Sequence, residues 1–529
     1  MLMTLYGEQE GDEIDWDLHD RNMRVWNTWF GITSGTSNEE KLSKAGIIFK
    51  RHTKSIRELT VMFKEAFSKA WGERNGTLPE PSIPHRDAEI SLSSIEFSNE
   101  LFLDGFTFRK TVDLSNSLFH KGLSAKNSGF TKATLLNNTR IKQSINVNSA
   151  AFLNYFDISG CNIEGSFTLK SAQCFRGFNF SNSFLGKQFR AKNLYVGEEF
   201  DAFDSTFEGQ VDLQDAQVLG QFKLSHSTIN GHAYFNRANF SSATEFVWTH
   251  FNNEANFAGT TFKNRAIFRK TIFKGSANFP SCEFQGNTDF AESVFAATGD
   301  KQMPAIRFTD AHFAKPTSFR NARFLNSYPE FTNTDLHPVT DFSVDTKTEK
   351  FWPAGITEPR KEARETCGII RNLLAKKGLH EDQHFFFRKE MQFAKASVNK
   401  REAFTYWAYG ALSDFGDSIQ RPVVCLCVVW ILGLLIFGGF FLQTPLFIEA
   451  CFEGQNRWPN EALRPYGTGA ALSLSNLFPP FGFNRTFFGN KFMGCLPIPL
   501  KFFSGLQTIV SLPFLFFLGL GLRQRFRLR

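Results

Sequence analysis

At 529 residues the chain exceeds what one compact core organises, so two or more domains are expected. Phenylalanine is the compositional outlier, with 64 residues against 8 tyrosines, and it marks an interior that takes large rings without a polar handle. The formal net charge of +7 is spread along the chain with no Lys/Arg-rich block, which excludes a basic nucleic-acid-binding tail.

The opening residues, MLMTLYGEQEGDEIDWD, are acidic and hold no apolar run of signal-peptide length, so synthesis and folding are expected to start in the cytosol. Residues 1–86 read as partly helical. Ser37 and Glu40 make a capping box, a charged amphipathic run continues to about Trp71, and Gly76 and Pro79 close it. The eight cysteines show no CxxC pair or dense spacing, which argues against a disulfide framework.

From residue 87 to 336 a beat takes over. The stretch EANFAGTTFKNRAIFRKTIFKGSANF places Phe257, Phe262, Phe268, Phe273 and Phe279 at alternating steps of five and six. Ala255, Thr260, Ala266, Thr271 and Ala277 stand two residues before them. The register extends from Phe97 to Phe295, a separation of 198 residues (18 × 11), without a polar landing. After AATGDKQMP it resumes at Phe308, Phe313, Phe319 and Phe324. An α-helical coiled coil is excluded, because residues five apart on a helix point about 140° apart and the intervening Asn, Gly, Ser and Thr are poor helix formers. Strand geometry fits: residues i and i−2 share a face, so the ring and its small partner point inward. Asn239, Glu245, Asn256, Asn278, Glu283 and Asp289 point out, while Ile267 and Ile272 depart from that rule. Four short sides make a 22-residue coil, and roughly nine to eleven stacked coils at about 4.8 Å give a solenoid. Cys161, Cys174 and Cys282 fall on apolar or small positions of it and read as reduced, packed thiols.

Residues 337–420 form a helical neck. EPRKEARETCGIIRNLLAKKG reads as one helix ended by Gly378, and EDQHFFFRKEMQFAKASVNK as a second. REAFTYWAYGALSDFG, a third, is amphipathic and aromatic in the manner of a membrane-surface helix. Residues 421–529 hold two uncharged runs, 422–442 and 502–522, each long enough to span a bilayer. Arg421 before the first, and Arg523, Arg525, Arg527 and Arg529 after the second, put both flanks on the cytosolic side and the 443–501 loop outside. Cys425 and Cys427 read as packing residues of the first span, and Cys451 and Cys495, in the outside loop, as candidates for a disulfide.

The runs ANFSSATEF, EANFAGTTF and SANFPSCEF resemble the pentapeptide-repeat family, with its A(N/D)(L/F)xx pattern. The resemblance covers roughly residues 97–336 and implies a right-handed quadrilateral β-helix, so the expected fold is mainly β. The sixth residue of alternate repeats departs from strict fives and suggests wider corners. From HEDQHFFFRKEMQF through LSDFGDSIQRP to the C-terminus the chain resembles bacterial membrane-anchored pentapeptide-repeat proteins. In some relatives that half is similar to a two-span potassium-channel pore module. The corresponding stretch here, AALSLSNLFPPFGF, offers Ser473, Ser475, Asn476, Pro479, Pro480 and Gly482 as pore-loop candidates, but lacks the glycine-rich carbonyl ladder of a potassium filter.

His380-Glu381-Asp382-Gln383-His384 spells HExxH, the zinc-protease pattern. It opens a polar helix just past Gly378 and no third ligand follows at helical spacing, so no metal, cofactor or catalysis is expected. Near-neutral charge over 91–336 makes the solenoid a poor copy of duplex DNA, a role the family resemblance would otherwise suggest. The expectation is therefore a non-enzymatic scaffold in the bacterial inner membrane, binding an unknown protein partner and no nucleic acid. The alternative is a channel-like or pore-forming homo-oligomer, a tetramer by analogy, with a cytosolic β-helix as its sensor.

Overall fold

A computed structural model describes residues 2–9, 14–31, 40–43, 46–47, 56–83, 85, 89–298, 305–444, 451, 464–479 and 482–526. The chain divides into two compact units, Met1–Gln383 and His384–Arg529.

The first unit is a parallel β-solenoid. Among the described residues, 42 two-residue strands, from β1 (Ile90–Ser91) to β42 (Arg323–Phe324), form four sheets of 11, 11, 10 and 10 strands, here sides A to D in chain order. Four strands to a turn give 42/4, or ten and a half turns. Each strand pairs with one 22 residues away, so like letters stack: Ala255 on Ala277, Asn256 on Asn278, Phe251 on Phe273. The insertion after Phe295 is absorbed without loss of register, with Ala277 pairing Ile306.

Two kinds of corner alternate. The longer has four residues, as in Phe257-Ala258-Gly259-Thr260, closed by Thr260 N–H donating to the Phe257 carbonyl at 2.9 Å. Its third residue lies in the left-handed region, φ +65° at Gly259, which is why Asn, Asp, Ser and Gly recur there. The Asn or Asp of the repeat serves this corner: Asn256 Oδ1 accepts from Ala258 N–H at 3.0 Å and Asp289 Oδ1 from Ala291 N–H at 2.9 Å. The shorter corner has three residues, as in Lys263-Asn264-Arg265. It corrects the expectation of wider corners at the six-residue steps. The ring steps alternate because Phe262 ends its strand whereas Phe257 and Phe268 follow theirs, so the six-residue step crosses the tighter corner. There the turns touch: a Cβ on Gly220 would stand 1.8 Å from the Glu198 carbonyl oxygen, leaving room for glycine alone.

Inside, the rings of successive turns stack face to face. Phe235, Phe257, Phe279 and Phe308 form one column with centroids 4.7–4.9 Å apart and planes within 4°. The neighbouring column through Phe246, Phe268 and Phe290 meets it edge-on, Phe257 to Phe268 at 5.6 Å and 90°. Residues expected as small partners do more than yield space. Thr260, Thr271, Ser205 and Ser227 donate their hydroxyls to carbonyls 25 residues earlier, at 2.6–2.8 Å, and Cys161 and Cys282 do the same with thiols. Burial pushes the Cys161 thiol up to about 12 and those of Cys174 and Cys282 further, so all three stay protonated. Ile267, one of the two departures from the outward rule, is 8 % exposed between the rungs of Glu245 and Asp289.

Both ends of the stack are covered. Helix α1 (Trp16–Gly31) lies against β4 (Thr107–Phe108), the outermost rung of side D. Asn27 Oδ1 accepts from Thr107 N–H at 2.8 Å, and Trp26 Nε1 donates to the Thr107 carbonyl at 2.9 Å. Helix α2 (Ile56–Asn75) packs behind it through the Trp29–Phe63 stack. Ser37 of the expected capping box lies outside the described residues. At the other end Phe331, Phe342 and Trp352 extend three ring columns by one layer. Helix α3 (Arg360–Lys376) then buries Ala363, Thr366, Cys367, Ile370, Leu373 and Leu374, one helical face, and Thr366 Oγ1 donates to the Pro329 carbonyl at 2.6 Å.

In the second unit α4 (His380–Ser397, shared with the first) leads to α5 (Lys400–Ser413), α6 (Gln420–Gln443), α7 (Arg464–Leu477), α8 (Gly489–Cys495) and α9 (Ile498–Phe526). Helices α6 and α9 are long and apolar enough to cross a membrane. Val424, Val428, Leu432 and Leu435 of α6, and Phe502, Ile509 and Phe516 of α9, point away from the protein.

Candidate functional site

Helix α7 is held between the two long helices. Gly433 and Gly438 of α6 let it approach: a Cβ on Gly469 would stand 2.6 Å from the Gly438 nitrogen, and one on Gly433 would stand 2.2 Å from Ser473 Oγ. In this contact sits a buried polar knot. Ser473 Oγ donates to the Trp430 carbonyl at 2.8 Å, Asn476 Nδ2 to Gln507 Oε1 at 3.0 Å, and Ser504 Oγ to Asn476 Oδ1 at 2.9 Å. Gln507 Nε2 donates to Ser473 Oγ at 2.7 Å, and Trp430 Nε1 to the Ala470 carbonyl at 3.1 Å. A closed network of this kind ties three helices together where water is excluded.

The pore-loop candidates separate accordingly. Ser473 and Asn476 meet in the knot, with Gln507 and Ser504 as partners the sequence reading did not single out. Ser475 returns its hydroxyl to the Leu472 carbonyl at 2.8 Å. Pro479 follows the helix, Gly482 is exposed with φ +62°, and Pro480 lies outside the described residues. Cys451 and Cys495 are two free thiols, not a bridge, yet they are neighbours: a thiol–thiol hydrogen bond, with burial, holds Cys451 above the ordinary thiol pKa. Cys427 is exposed on α6, which corrects its reading as a packing residue. Arg421 donates to the Gly410 carbonyl at 2.8 Å and stands 3.7 Å from Asp414. Arg523 is at the far end of α9 and Arg525 in its last turn, while Arg527 and Arg529 lie outside the described residues.

A second constellation sits at the elbow between α5 and α6, where Asp414, Phe415 and Gly416 have φ of 50°, 56° and 90°. Arg388 of α4 stands 3.1 Å from Asp414 and 3.7 Å from Asp417. His384 is buried beside them, its Nδ1 3.7 Å from Asp417 Oδ1. Burial holds its pKa below the ordinary imidazole value, the nearby Asp417 opposing this. The HExxH residues thus diverge in environment. His380 is exposed and bonded to Gln383, and Asp382 bonds Thr348. Among the described residues no three His, Cys, Asp or Glu side chains gather closely enough to hold a metal ion.

At the corner between sides A and B, two rings occupy the left-handed position. Trp248, 45 % exposed, occupies the left-handed position with φ +59°, and His226 does so one turn earlier with φ +60°. Bulky residues there cost about 1–2 kcal/mol relative to glycine. The Phe203 ring meets that of His226 at 5.2 Å and 54°, and Lys270 lies over the Trp248 ring at 4.8 Å.

Residues 246–294, within the most regular turns, match the family model for pentapeptide repeats in nine copies. That segment of the solenoid is similar to pentapeptide repeats. No curated protein and no solved structure matches the chain. The parallel stacking runs on past the matched segment in both directions, 22 residues apart from Ile90 to Phe295 and 29 apart across the insertion to Phe324.

Proposed function

We propose that this protein is a membrane-anchored, non-catalytic scaffold whose pentapeptide-repeat β-helix presents the A–B corner to a protein partner. The carrying observation is the exposed pair His226 and Trp248, set where the backbone favours Asn or Gly and where the fold has no use for a ring, with the exposed Phe203 against His226. Residues kept at a conformational cost are expected to serve something other than stability. The anchor is the α6–α9 pair, whose outward apolar side chains suit lipid. Ile419, just before α6, and Gly521 of α9 meet, so Arg421 and Arg523 share one end; with basic flanks inside, that end is cytosolic, in a bacterial inner membrane. Cross-linking mass spectrometry in native membranes tests the scaffold reading. Partner cross-links should cluster at this corner and vanish in Phe203→Ser/Trp248→Asn, which should melt no lower than wild type. Cross-links elsewhere, or unchanged in the variant, would sink it.

A channel-like oligomer is the second reading, favoured by a short helix wedged between two spans. Ser473 and Asn476 are engaged within one chain, so a conduit would need other residues and several subunits. Mass measurement in detergent decides: a strict monomer ends this reading, and a tetramer supports it.

A further inference from the structure

Helix α5 turns an unusual face away from the protein. Its inner side is occupied: Tyr409 stacks on Phe517 at 5.5 Å and donates to the Phe415 carbonyl, and Ser413 is buried. At 100° per residue, Lys400, Phe404, Trp407 and Ala411 fall within about 60° of one another on the outer side, and all four are exposed. Phe404 is 63 % and Trp407 51 % exposed, their rings 5.6 Å apart. Arg401 flanks this face, and the one acidic residue of the helix, Glu402, lies about 160° away, its N–H bonded to the Asn399 cap. A helix bathed only in water would bury its two large rings. Here the outward face is apolar and basic throughout.

Its position adds a direction. Arg421 at the start of α6 donates to the Gly410 carbonyl, and Phe517 belongs to the last turns of α9, so α5 sits at the end shared by both candidate spans. The exposed Val423 and Val424 of α6 begin at that same end. Aromatic rings with flanking cations, placed where spans leave the hydrocarbon, match the headgroup region of a negatively charged leaflet.

We propose that the Lys400–Phe404–Trp407–Ala411 face of α5 docks on an anionic lipid surface. This rests on reading α6 and α9 as spans. The test uses the full chain in nanodiscs of phosphatidylcholine, with or without phosphatidylglycerol, taking the difference in fluorescence between wild type and Trp407→Phe. In anionic discs the Trp407 signal should be quenched by lipids brominated near the headgroup and protected several-fold from acrylamide. Lys400→Glu/Arg401→Glu should lose that protection. Protection from acrylamide without quenching by brominated lipid would mean that a protein or a second copy covers the face, and would overturn the proposal. Equal protection in both disc types would overturn the anionic preference. Release of the whole chain from membranes by alkaline carbonate would overturn the span reading and the proposal together, whereas retention with an unquenched Trp407 overturns the proposal alone.

Discussion

Two stretches of the solenoid share one backbone and fill it differently. From Ala233 to Phe324 the ring stands on the beat with a small residue two places before it, as in Ala255/Phe257 and Ala266/Phe268. From Phe156 to Phe222 five of the seven rungs of sides A and C hold the ring at the earlier place and a smaller residue on the beat, as in Phe156/Ile158, Phe189/Ala191 and Phe200/Ala202. All of these are buried. Sides B and D compensate upstream with Ile163, Cys174, Leu185 and Val196 where Phe262, Phe273 and Phe284 stand downstream. Packing changes with the filling. Upstream rings tilt, Phe178 to Phe200 at 46°, while downstream rings lie flat, Phe246 to Phe268 at 6°. The period fixes where inward side chains point; each cross-section fixes only their summed volume.

The largest expected effect breaks the downstream filling. Phe268→Asp removes a ring worth about 3–5 kcal/mol and adds a charge with no solvent or partner. Circular dichroism should show no cooperative melt of the solenoid, and a melt like wild type would contradict stacked interior columns. Phe189→Ala should cost a similar 3–5 kcal/mol, but Phe189→Ala/Ala191→Phe should regain at least half of the loss in melting temperature. If the double variant is no better than the single, the two fillings are not interchangeable. Smaller still, Thr249→Ala removes the hydroxyl bond to the Leu224 carbonyl at 2.8 Å and should cost about 1 kcal/mol. The corresponding C–D corner already has Ala238 there, so Ala238→Ser should be neutral or stabilising in the same assay.

The contrast also says where pH acts. The solenoid's ring positions carry no group that titrates near neutrality, whereas His384 is buried with a lowered pKa. The unfolded chain takes up this proton first, so His384 favours the folded second unit above about pH 6.5. That contribution falls as pH drops from there toward the depressed folded value, and levels off below it. Melting of the second unit followed from pH 8 to 5 should show this slope in wild type and a shallower one in His384→Gln.

Much of this was legible in the sequence. The beat located the inward positions and the corners, because a two-residue strand leaves the chain few alternatives. It missed Phe189 and Phe200, since it followed the landing positions alone, which there are Ala191 and Ala202. In the second unit AALSLSNLF pointed to Ser473 and Asn476. Gln507 went unread because a single uncharged amide barely disturbs an apolar run, and its role depends on which helices meet. His384 and Asp417 are brought together by three consecutive left-handed residues, and Asp414 and Phe415 among them gave no warning by type.

The contact of Asn27 and Trp26 with Thr107 has a consequence for the particle as a whole. Every turn of the stack is a mould for the next, with the same spacing and the same exposed amide and carbonyl. An uncovered last rung would accept the first rung of another copy, and growth would then be limited by supply alone, as in a fibre. Two side chains of a short helix occupy that amide and that carbonyl, so on side D the count of rungs ends with the chain that made them.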